Sequence, residues 1–455
     1  MIRITCPNNN IPERTYSIDV LFKELLGLKR EQYDILFDNH IDCYLIKYND
    51  KTIVIEDHFF IRYPEPLSYL SSENLPKELK FFHGLGLEIP ILYGVDKFIC
   101  DGNKTIVGID VFASTFFMLT RWEEFLLGRE ENGDCDENEL FCVKKGIFTR
   151  PIVHEYEKLI KLLLIDSDIQ CDDRKYKVVM SHDVDGFLTP SFGDIIKSML
   201  RQLRYGPPKN KVLNLTWQEK IKYKQSFPNA ICQFELYAEL CRNYNIPEWF
   251  YFKVCNVGEK ECTYKFDDKQ TKEVVRWLKN QKNDFIIPGF HPSQSTFENE
   301  KQWDKEIERI KDLLCVAPQI GRNHHLLYNQ RMLRMWEKTA KGNPDSVLEI
   351  SNCVFHNHIG FRSGVASPYH LFDLFERRPM KLREHPCQIM DTVIRYHRKK
   401  ESEKEIWNEI ATVVKSAKEH ECELVLTWHI YIRNIKLIFN YFKWCQNVVK
   451  YAVNQ

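Results

Sequence analysis

Two patterns of apolar and polar residues follow one another along the chain. Up to about residue 165, short strand-like runs such as DCYLIKY and KTIVIEDHFFI occur beside a helical segment, DVFASTFFMLTRWEEFLLGRE, whose apolar residues recur at three- and four-residue steps up to Gly128. After the polar segment at residues 166–177, short apolar runs alternate with longer amphipathic stretches. The change predicts an α+β domain over residues 1–170 and a second domain over residues 171–455.

The second domain contains seven apolar runs of strand length, and helical patterns lie between most of them. This alternation predicts an α/β fold, either a β/α barrel or a parallel sheet covered on both faces. Several runs end in ionisable residues, among them His182, His291, Arg322 and His429. Because the carboxyl ends of barrel strands carry the active site, these residues are candidates for one shared site. The runs are KVVMSHD, EWFYFKV, DFIIPGFH, VAPQIGRNHH, SVLEISN, PCQIMD and ELVLTWH.

Five motifs in this order, SHDVDG, GFHPSQS, GRNHH, GFRSG and LTWH, resemble the polysaccharide deacetylases of the NodB-homology type (carbohydrate esterase family 4). Within that family they are similar to a bacterial subgroup with HDVD and HPS motifs, whose uncharacterised preceding domain the segment FASTFFMLTRWEE resembles. The resemblance implies a distorted (β/α)7 barrel. It also implies hydrolytic removal of an N-acetyl, less readily an O-acetyl, group from a sugar of a surface polysaccharide or its precursor.

The resemblance also implies catalytic roles for three strand-end residues. Asp183 would be the general base that deprotonates water, Arg322 would hold Asp183 in place, and His429 would be the general acid. Asp183 and Asp185 are two positions apart, so on an extended chain they face the same side. Two carboxylates so close together favour a cation between them.

The same resemblance implies a divalent metal, for which zinc is the expected ion, with Asp185, His291 and the residue at position 295 as ligands. The family has a second histidine at this last position, whereas this chain has Ser295. A serine hydroxyl is a poor zinc ligand, so another side chain could take its place. Three candidates follow from the sequence: Asn299, His324 and His325.

Residues near the other strand ends are candidates for contact with the sugar. The segment GFRSGVASPYHLFDL could stack aromatic rings on the substrate, and simple packing explains it equally well. The segment EHPCQIMDTVI would place Glu384, Met390 and Asp391 in the pocket wall, and Glu349 could take the role of an aspartate that the subgroup often has before GFRSG. The candidate substrate-binding residues are His324, His325, Arg362, Tyr369 and Trp428.

The composition of the chain narrows the classes of molecule that it could bind and the place where it could act. Lys+Arg and Asp+Glu number 64 each, which argues against a nucleic-acid-binding protein. No apolar signal region or membrane-length segment is visible, so the sequence predicts no transmembrane segment and a cytoplasmic location. The 15 cysteines include no CxxC pair, which favours buried reduced thiols. A basic stretch at residues 197–211 could touch an anionic glycan or a lipid head group.

The sequence leaves two other functions open beside deacetylation of an acetylated glycan. The chain could be a catalytically weak or inactive relative that only binds a glycan, an alternative that Ser295 favours. Asp183, Arg322 and His429 oppose it, because a pure binder has little need for a base, its orienting group and an acid. The barrel could also perform another metal-assisted hydrolysis of a carbon–nitrogen bond. Nothing in the sequence indicates the oligomeric state.

Overall fold

The structure is a computed structural model that describes residues 1–164, 174–187, 189–207, 215–254, 264, 267–281, 286–315, 317–340, 348–394, 402–430 and 435–454. Most of the predicted boundary segment lies outside these residues, so the division near residue 170 stays a prediction. The end of the basic stretch at residues 197–211 also lies outside the described residues.

The N-terminal part is built on a six-stranded mixed sheet. Eight strands are present in its described residues: β1 (Ile2–Pro7), β2 (Tyr33–Asp38), β3 (Cys43–Tyr48), β4 (Lys51–Glu56), β5 (Lys80–Gly84), β6 (Leu87–Ile91), β7 (Gly94–Asp101) and β8 (Lys104–Ile109). Six of them form one sheet in the order β2-β1-β3-β4-β8-β7, while β5 and β6 pair as a separate hairpin. The runs DCYLIKY and KTIVIEDHFFI contain β3 and β4, in agreement with the predicted strands.

Helices and short helical turns make up most of the remaining secondary structure of the N-terminal part. They are α1 (Ile11–Asp19), α2 (Val111–Thr120), α3 (Trp122–Glu124), α4 (Glu130–Asn132), α5 (Phe141–Lys144) and α6 (Ile152–Leu163), with π-helical turns at Val20–Leu25 and Phe125–Arg129 and 3₁₀ turns at Arg30–Gln32, Phe60–Arg62, Ser72–Asn74 and Glu137–Glu139. Asp110 caps α2 by accepting a hydrogen bond from the Ala113 N–H (3.0 Å). The buried side chains of Phe112 and Phe116 join the aromatic core beneath it.

The prediction of one continuous helix up to Gly128 is wrong. Arg121 has φ of 50°, in the left-handed region, and separates α2 from α3. This conformation lets the buried Arg121 guanidinium lie 3.7 Å from the Glu124 carboxylate. Periodicity alone cannot show such a break, because the apolar spacing continues across it.

The C-terminal part of the chain is built on a curled sheet of nine strands. They are β9 (Lys177–Val184), β10 (Glu248–Phe252), β11 (Ile286–Phe290), β12 (Ile320–Gly321), β13 (Leu348–Ile350), β14 (Tyr369–Asp373), β15 (Arg378–Glu384), β16 (Ile389–Met390) and β17 (Glu423–Thr427). Their order is β14-β15-β13-β12-β11-β10-β9-β17-β16, with every pair parallel except β14 and β15. Each of the seven predicted runs contains one strand, which confirms the α/β class. The antiparallel hairpin of β14 and β15 was not predicted, so the sheet differs from the expected seven strands.

Eight helices accompany this sheet among the described residues. They are α7 (Phe192–Tyr205), α8 (Trp217–Ser226), α9 (Ile231–Tyr244), α10 (Lys269–Asn280), α11 (Glu300–Leu314), α12 (Gln330–Ala340), α13 (Glu403–Glu419) and α14 (Ile435–Asn454), with 3₁₀ turns at Gln294–Thr296 and His324–Leu326. Helices between successive parallel strands are what a parallel sheet requires, because a parallel connection must return to the starting edge.

Buried ion pairs show how strongly the sheet curls. His385 lies between Glu349 of β13 and Glu423 of β17, at 2.6 Å from a carboxylate oxygen of each. Four strands separate β13 from β17 in the sheet order, so their side chains meet only across a curled interior. Burial opposes the imidazolium charge, but the Glu423 and Glu349 carboxylates raise the pKa of His385 to about 9. Glu349 is therefore engaged by His385 and not by the strand-end residues.

The two parts of the chain share a polar seam. Glu137 accepts hydrogen bonds from the backbone N–H groups of His356 (2.7 Å) and Asn357 (3.0 Å) and from the Arg362 guanidinium (2.6 Å). The backbone of Val153 donates to the carbonyl oxygen of Gly364 (2.8 Å). The segment GFRSGVASPYHLFDL is thus largely packed against the N-terminal part, which favours the packing explanation of its aromatic residues.

The composition led to one expectation about the cysteines and another about membrane-spanning segments, and both concern the described residues. Twelve cysteines lie in them, and all twelve are free thiols; seven are buried as expected, whereas Cys100 and Cys315 are exposed and the other three are partly exposed. None of the helices described has the length and apolar content needed to cross a bilayer.

Candidate active site

Strand β9 carries the first candidate residues to the carboxyl end of the curled sheet. Its side chains alternate, so Asp183 points into the interior while its neighbour His182 points outward. His182 donates from Nδ1 to the Trp428 carbonyl oxygen (2.7 Å), and its ring lies 4.7 Å from that of Tyr237 in α9. Of the two motif residues, Asp183 is therefore the one that faces the other strand ends.

Arg322, immediately after β12, fixes the Asp183 carboxylate. Its Nη1 donates to Asp183 Oδ1 (3.0 Å) and to the Thr427 hydroxyl (2.9 Å). Its Nε and Nη2 donate to the carbonyl oxygen (2.6 Å) and hydroxyl (2.7 Å) of Ser351. Arg322 is completely buried, so each of its nitrogens needs these acceptors. The contacts span three strand ends and leave Asp183 Oδ2 directed at the remaining site residues.

His429 follows β17 and faces Asp183 Oδ2 with its Nε2 atom, at 3.5 Å. Its Nδ1 donates to Asp391 Oδ1 (2.6 Å), and its backbone N–H donates to Asp391 Oδ2 (3.2 Å). Burial disfavours the imidazolium, but the charge and hydrogen bond of Asp391, together with Asp183, raise the pKa of His429 to about 8. The ring is thus oriented by one carboxylate and held protonated near neutral pH.

Asp185, His291 and His324 bring three possible metal-ligand atoms together, all within 4.8 Å of one another. His291 donates from Nδ1 to the Arg322 carbonyl oxygen (2.6 Å), which leaves the lone pair on Nε2. That Nε2 atom is buried and has no hydrogen-bond partner among the described residues. Burial also lowers the pKa of His291 well below its ordinary value, as a neutral ligand requires. These three side chains fit a divalent cation.

Lys253, directly after β10, places an ammonium group in the same cluster. Its Nζ lies 2.7 Å from Asp185 Oδ1 and 2.8 Å from His324 Nε2, and the residue is almost completely buried. Burial alone would raise the pKa of Asp185, but Lys253 and the histidines around it lower that pKa to about 2. Lys253 is therefore the charge partner of Asp185 in this structure.

Ser295, the predicted ligand, is bonded elsewhere. Its hydroxyl lies 2.8 Å from that of Ser293, which donates to the Glu306 carboxylate (2.5 Å). Asn299 is also engaged, because its side chain caps α11 by accepting from the Gln302 N–H (3.2 Å). Of the side chains considered as replacements for the missing histidine, His324 is the one that lies beside Asp185 and His291.

A groove of about 490 Å³ opens beside the cluster. Its lining comes from both parts of the chain, with Asp134 and Glu137 from the N-terminal part and His325 and His356 from the C-terminal part. The ring of His325, which lines the groove, lies 4.0 Å from that of His324, so the groove is next to the cluster of Asp185, His291 and His324. The lining residues are Asp134, Cys135, Asp136, Glu137, Gln294, His325, Leu327, His356 and Asn357.

Three predicted substrate-binding residues lie away from this groove's lining and are buried. Arg362 donates to Glu124 (2.7 Å) and Glu137 (2.6 Å) in the seam between the two parts. The Tyr369 hydroxyl donates to the Leu119 carbonyl oxygen (3.1 Å), and the Trp428 indole donates to the Tyr441 carbonyl oxygen (3.2 Å). Their polar groups are thus used within the protein. Their proposed sugar contacts find no support in this arrangement.

Sequence reasoning missed Lys253 and the acidic groove loop at residues 134–137. Lys253 ends the apolar run EWFYFKV, so it carried the same strand-end signal as His291 and Arg322. The acidic loop had no such signal, because it lies far from the motifs in sequence. Asp391 was predicted in the pocket wall, and the structure places its carboxylate on His429.

Comparison with known proteins gives one family match. Residues 2–167 match a family described only as a family of unknown function, DUF7033. The match covers the N-terminal part of the chain, less than half of its length. No curated protein matches the chain.

Two solved structures are similar at a low level. One, from Bordetella bronchiseptica, is provisionally described as a polysaccharide deacetylase involved in O-antigen biosynthesis; it has 10% identity and a TM-score of 0.29, over 61% of this chain and 85% of that one. The other, from Mycobacterium smegmatis, is provisionally described as a polysaccharide deacetylase; it has 14% identity and a TM-score of 0.35, over 60% of this chain and 84% of that one. At these TM-scores neither likeness supports a conclusion about this chain.

Proposed function

We propose that this protein is a hydrolase that removes the acetyl group from an N-acetylated sugar of a bacterial surface polysaccharide or its precursor. One observation supports the proposal: an anchored aspartate, an anchored histidine and three possible metal ligands meet at the carboxyl end of one curled sheet. The aspartate is Asp183, held by Arg322; the histidine is His429, held by Asp391; and the possible ligands are Asp185, His291 and His324.

Asp185, His291 and His324 would hold the divalent cation, zinc being the first choice for one carboxylate and two imidazoles. The buried His291 Nε2, which has no hydrogen-bond partner among the residues the structure describes, is the feature that best fits such an ion. When bound, the ion would polarise the acetyl carbonyl group and make a nearby water more acidic. Three protein ligands with an open position are typical of catalytic zinc.

The protein's own residues supply the proton transfers. Asp183 Oδ2 would accept a proton from water as the water oxygen bonds to the acetyl carbon. His429 would donate its Nε2 proton to the amide nitrogen as the carbon–nitrogen bond breaks, which releases acetate and a free amino sugar. Arg322 and Asp391 keep the two groups 3.5 Å apart, which is close enough for both to serve one amide bond and its attacking water.

We place the glycan in the groove beside His324 and His325. Asp134, Asp136 and Glu137 give this groove a surplus of carboxylates, which suits a neutral or amino-bearing sugar better than an anionic one. The N-terminal part would then have a definite task, because its acidic loop forms one wall of the groove. The position of His324 also weakens the alternative of a binding protein without activity, since that alternative rested on Ser295.

The direct test measures first the metal content of the purified protein and then the acetate that it releases from a substrate. Protein purified without chelator is expected to contain about one divalent ion per chain, and acetylated oligosaccharides are expected to release acetate with zinc, cobalt or nickel present. Treatment with a chelator should remove the activity, and added metal should restore it. Absence of acetate release with every metal would contradict the proposal, provided the chain is folded by circular dichroism.

The pH dependence of the rate of acetate release should reflect the protonation of His429. Because its pKa is raised to about 8, the protonated acid persists through neutral pH, and activity should fall about tenfold per pH unit above that value. The variant Asp391→Asn removes the carboxylate that raises this pKa. The alkaline limb of the rate profile should then move down by about one pH unit or more. An unchanged limb in Asp391→Asn would assign that limb to another group.

A further inference from the structure

Helix α7 exposes an unusual amount of apolar surface. Fifteen large hydrophobic side chains are exposed among the described residues, and five of them lie on this one helix. Leu203 is 79% exposed and Phe192 is 73% exposed. Ile195 is the one buried residue of α7, so the helix touches the domain along a narrow face. The five exposed residues are Phe192, Ile196, Leu200, Leu203 and Tyr205.

Four of these residues form a single stripe. Phe192, Ile196, Leu200 and Leu203 follow one another at steps of four, four and three residues, which places them on one side of an α-helix. A surface helix of a globular domain normally turns such a stripe towards the core. Here the stripe faces solvent, and the neighbouring helix α8 is anchored by a small core of its own that includes Tyr223 and Phe227.

Basic side chains lie next to the stripe. Lys197, Arg201 and Arg204 are all exposed, and helical geometry places them together along one border of the apolar face. The one carboxylate of α7, Asp194, is bonded to Ser191 in the capping box at the start of the helix. The solvent side of α7 therefore combines a continuous apolar surface with net positive charge.

We propose that α7 is an interfacial helix that lies on an anionic lipid bilayer, with the stripe at the acyl-chain boundary and Lys197, Arg201 and Arg204 among the head groups. An apolar face bordered by basic residues is the composition of such helices. A second copy of the chain is a poorer occupant, because facing stripes would bring the same cations together. The membrane supplies the opposite charge.

The position of α7 gives this attachment a consequence for the site. Only six residues separate Asp185, at the end of β9, from Phe192, the first residue of α7. A membrane-bound α7 would hold the mouth of the curled sheet close to the bilayer surface. A glycan carried on a lipid would then meet the site at short range. The lipid attachment itself does not rest on the proposed reaction.

Vesicle co-sedimentation of the full chain tests the proposal. The wild-type protein should sediment with vesicles of about three parts phosphatidylcholine to one part phosphatidylglycerol, and much less with pure phosphatidylcholine. The double variant Leu200→Asp with Leu203→Asp should reduce the bound fraction at least about tenfold. The triple variant Lys197→Gln, Arg201→Gln and Arg204→Gln should lose the preference for phosphatidylglycerol. High salt should also weaken wild-type binding.

The matched control is Leu85→Asp, which replaces an exposed leucine of the N-terminal part with a carboxylate-bearing residue. It should sediment as the wild type does. The proposal would be overturned if the wild-type protein did not sediment with anionic vesicles. It would also be overturned if the Leu200→Asp, Leu203→Asp variant bound these vesicles as well as the wild type does. A wild-type dimer that this double variant converts to monomers in the absence of lipid would identify the stripe as a self-association surface, which also overturns it. Acetate release from soluble oligosaccharides should not change in the helix variants, so the lipid result and the proposed reaction are judged separately.

Discussion

The variant Asp183→Asn is expected to release acetate about 10³-fold more slowly than the wild-type protein. The asparagine side chain has the shape of the aspartate and can still accept the hydrogen bond from Arg322 through its carbonyl oxygen. It cannot accept a proton from water, so the loss should appear in kcat and leave glycan binding intact. Acetate release under saturating substrate and metal, together with the dissociation constant of an acetylated oligosaccharide, measures both quantities.

The control for Asp183→Asn is Asp57→Asn in the N-terminal part. Asp57 faces a buried arginine in the same manner, with its carboxylate 2.6 Å from Arg14 and both side chains fully buried. Each variant should lower the free energy of unfolding by about 1–3 kcal/mol, because each weakens one charged hydrogen bond. Only Asp183→Asn should lower kcat. Retention of more than a tenth of wild-type activity in Asp183→Asn would remove Asp183 from its role as base.

The variant Lys253→Met should bind zinc about 10- to 100-fold more tightly than the wild-type protein. In the structure the Lys253 ammonium contacts Asp185 and His324, two of the three proposed ligands, at 2.7 and 2.8 Å. A divalent ion must displace this ammonium or accept a positive neighbour within about 4 Å, and both cost free energy. Competition with a fluorescent zinc chelator measures the affinity without any assay of activity.

Two further variants serve as controls for Lys253→Met. His324→Ala removes a proposed ligand and should weaken zinc binding by at least about tenfold. Lys97→Met removes a lysine that pairs with Glu56 in the N-terminal sheet and should leave the affinity unchanged. Weaker zinc binding in Lys253→Met would mean that the ammonium supports the ion instead of competing with it.

Much of the candidate site could be predicted from strand ends. Asp183, Asp185, His291, Arg322 and His429 each follow an apolar run, and parallel strands bring such positions to one edge of a sheet. The structure places all five within one network of hydrogen bonds and ion pairs. Their roles are proposals, but their proximity required only that these apolar runs form parallel strands, whose carboxyl ends lie at one edge of the sheet.

The remaining features depend on conformations that periodicity does not encode. His324 reaches the cluster from an irregular turn in which His325 has φ of 56°, so its direction could not be derived from a strand or helix pattern. Arg362 and Tyr369 were predicted at the substrate because their segment, GFRSGVASPYHLFDL, could have formed an aromatic edge for stacking on a sugar. They lie instead in the seam with the N-terminal part, whose carboxylate and carbonyl groups satisfy them.

Glu137 joins the two parts of the chain through three hydrogen bonds to Asn357, His356 and Arg362. The same residue lines the groove in which we place the glycan. Under the proposed function, proton transfer belongs to the curled sheet, while half of the sugar's surroundings belongs to another fold. Because of this division, substitutions in the N-terminal loop could change which glycan is bound without altering the residues that transfer protons. Glu137 is the exception, because a change at this residue would also affect His356, Asn357 and Arg362, to which it is hydrogen-bonded.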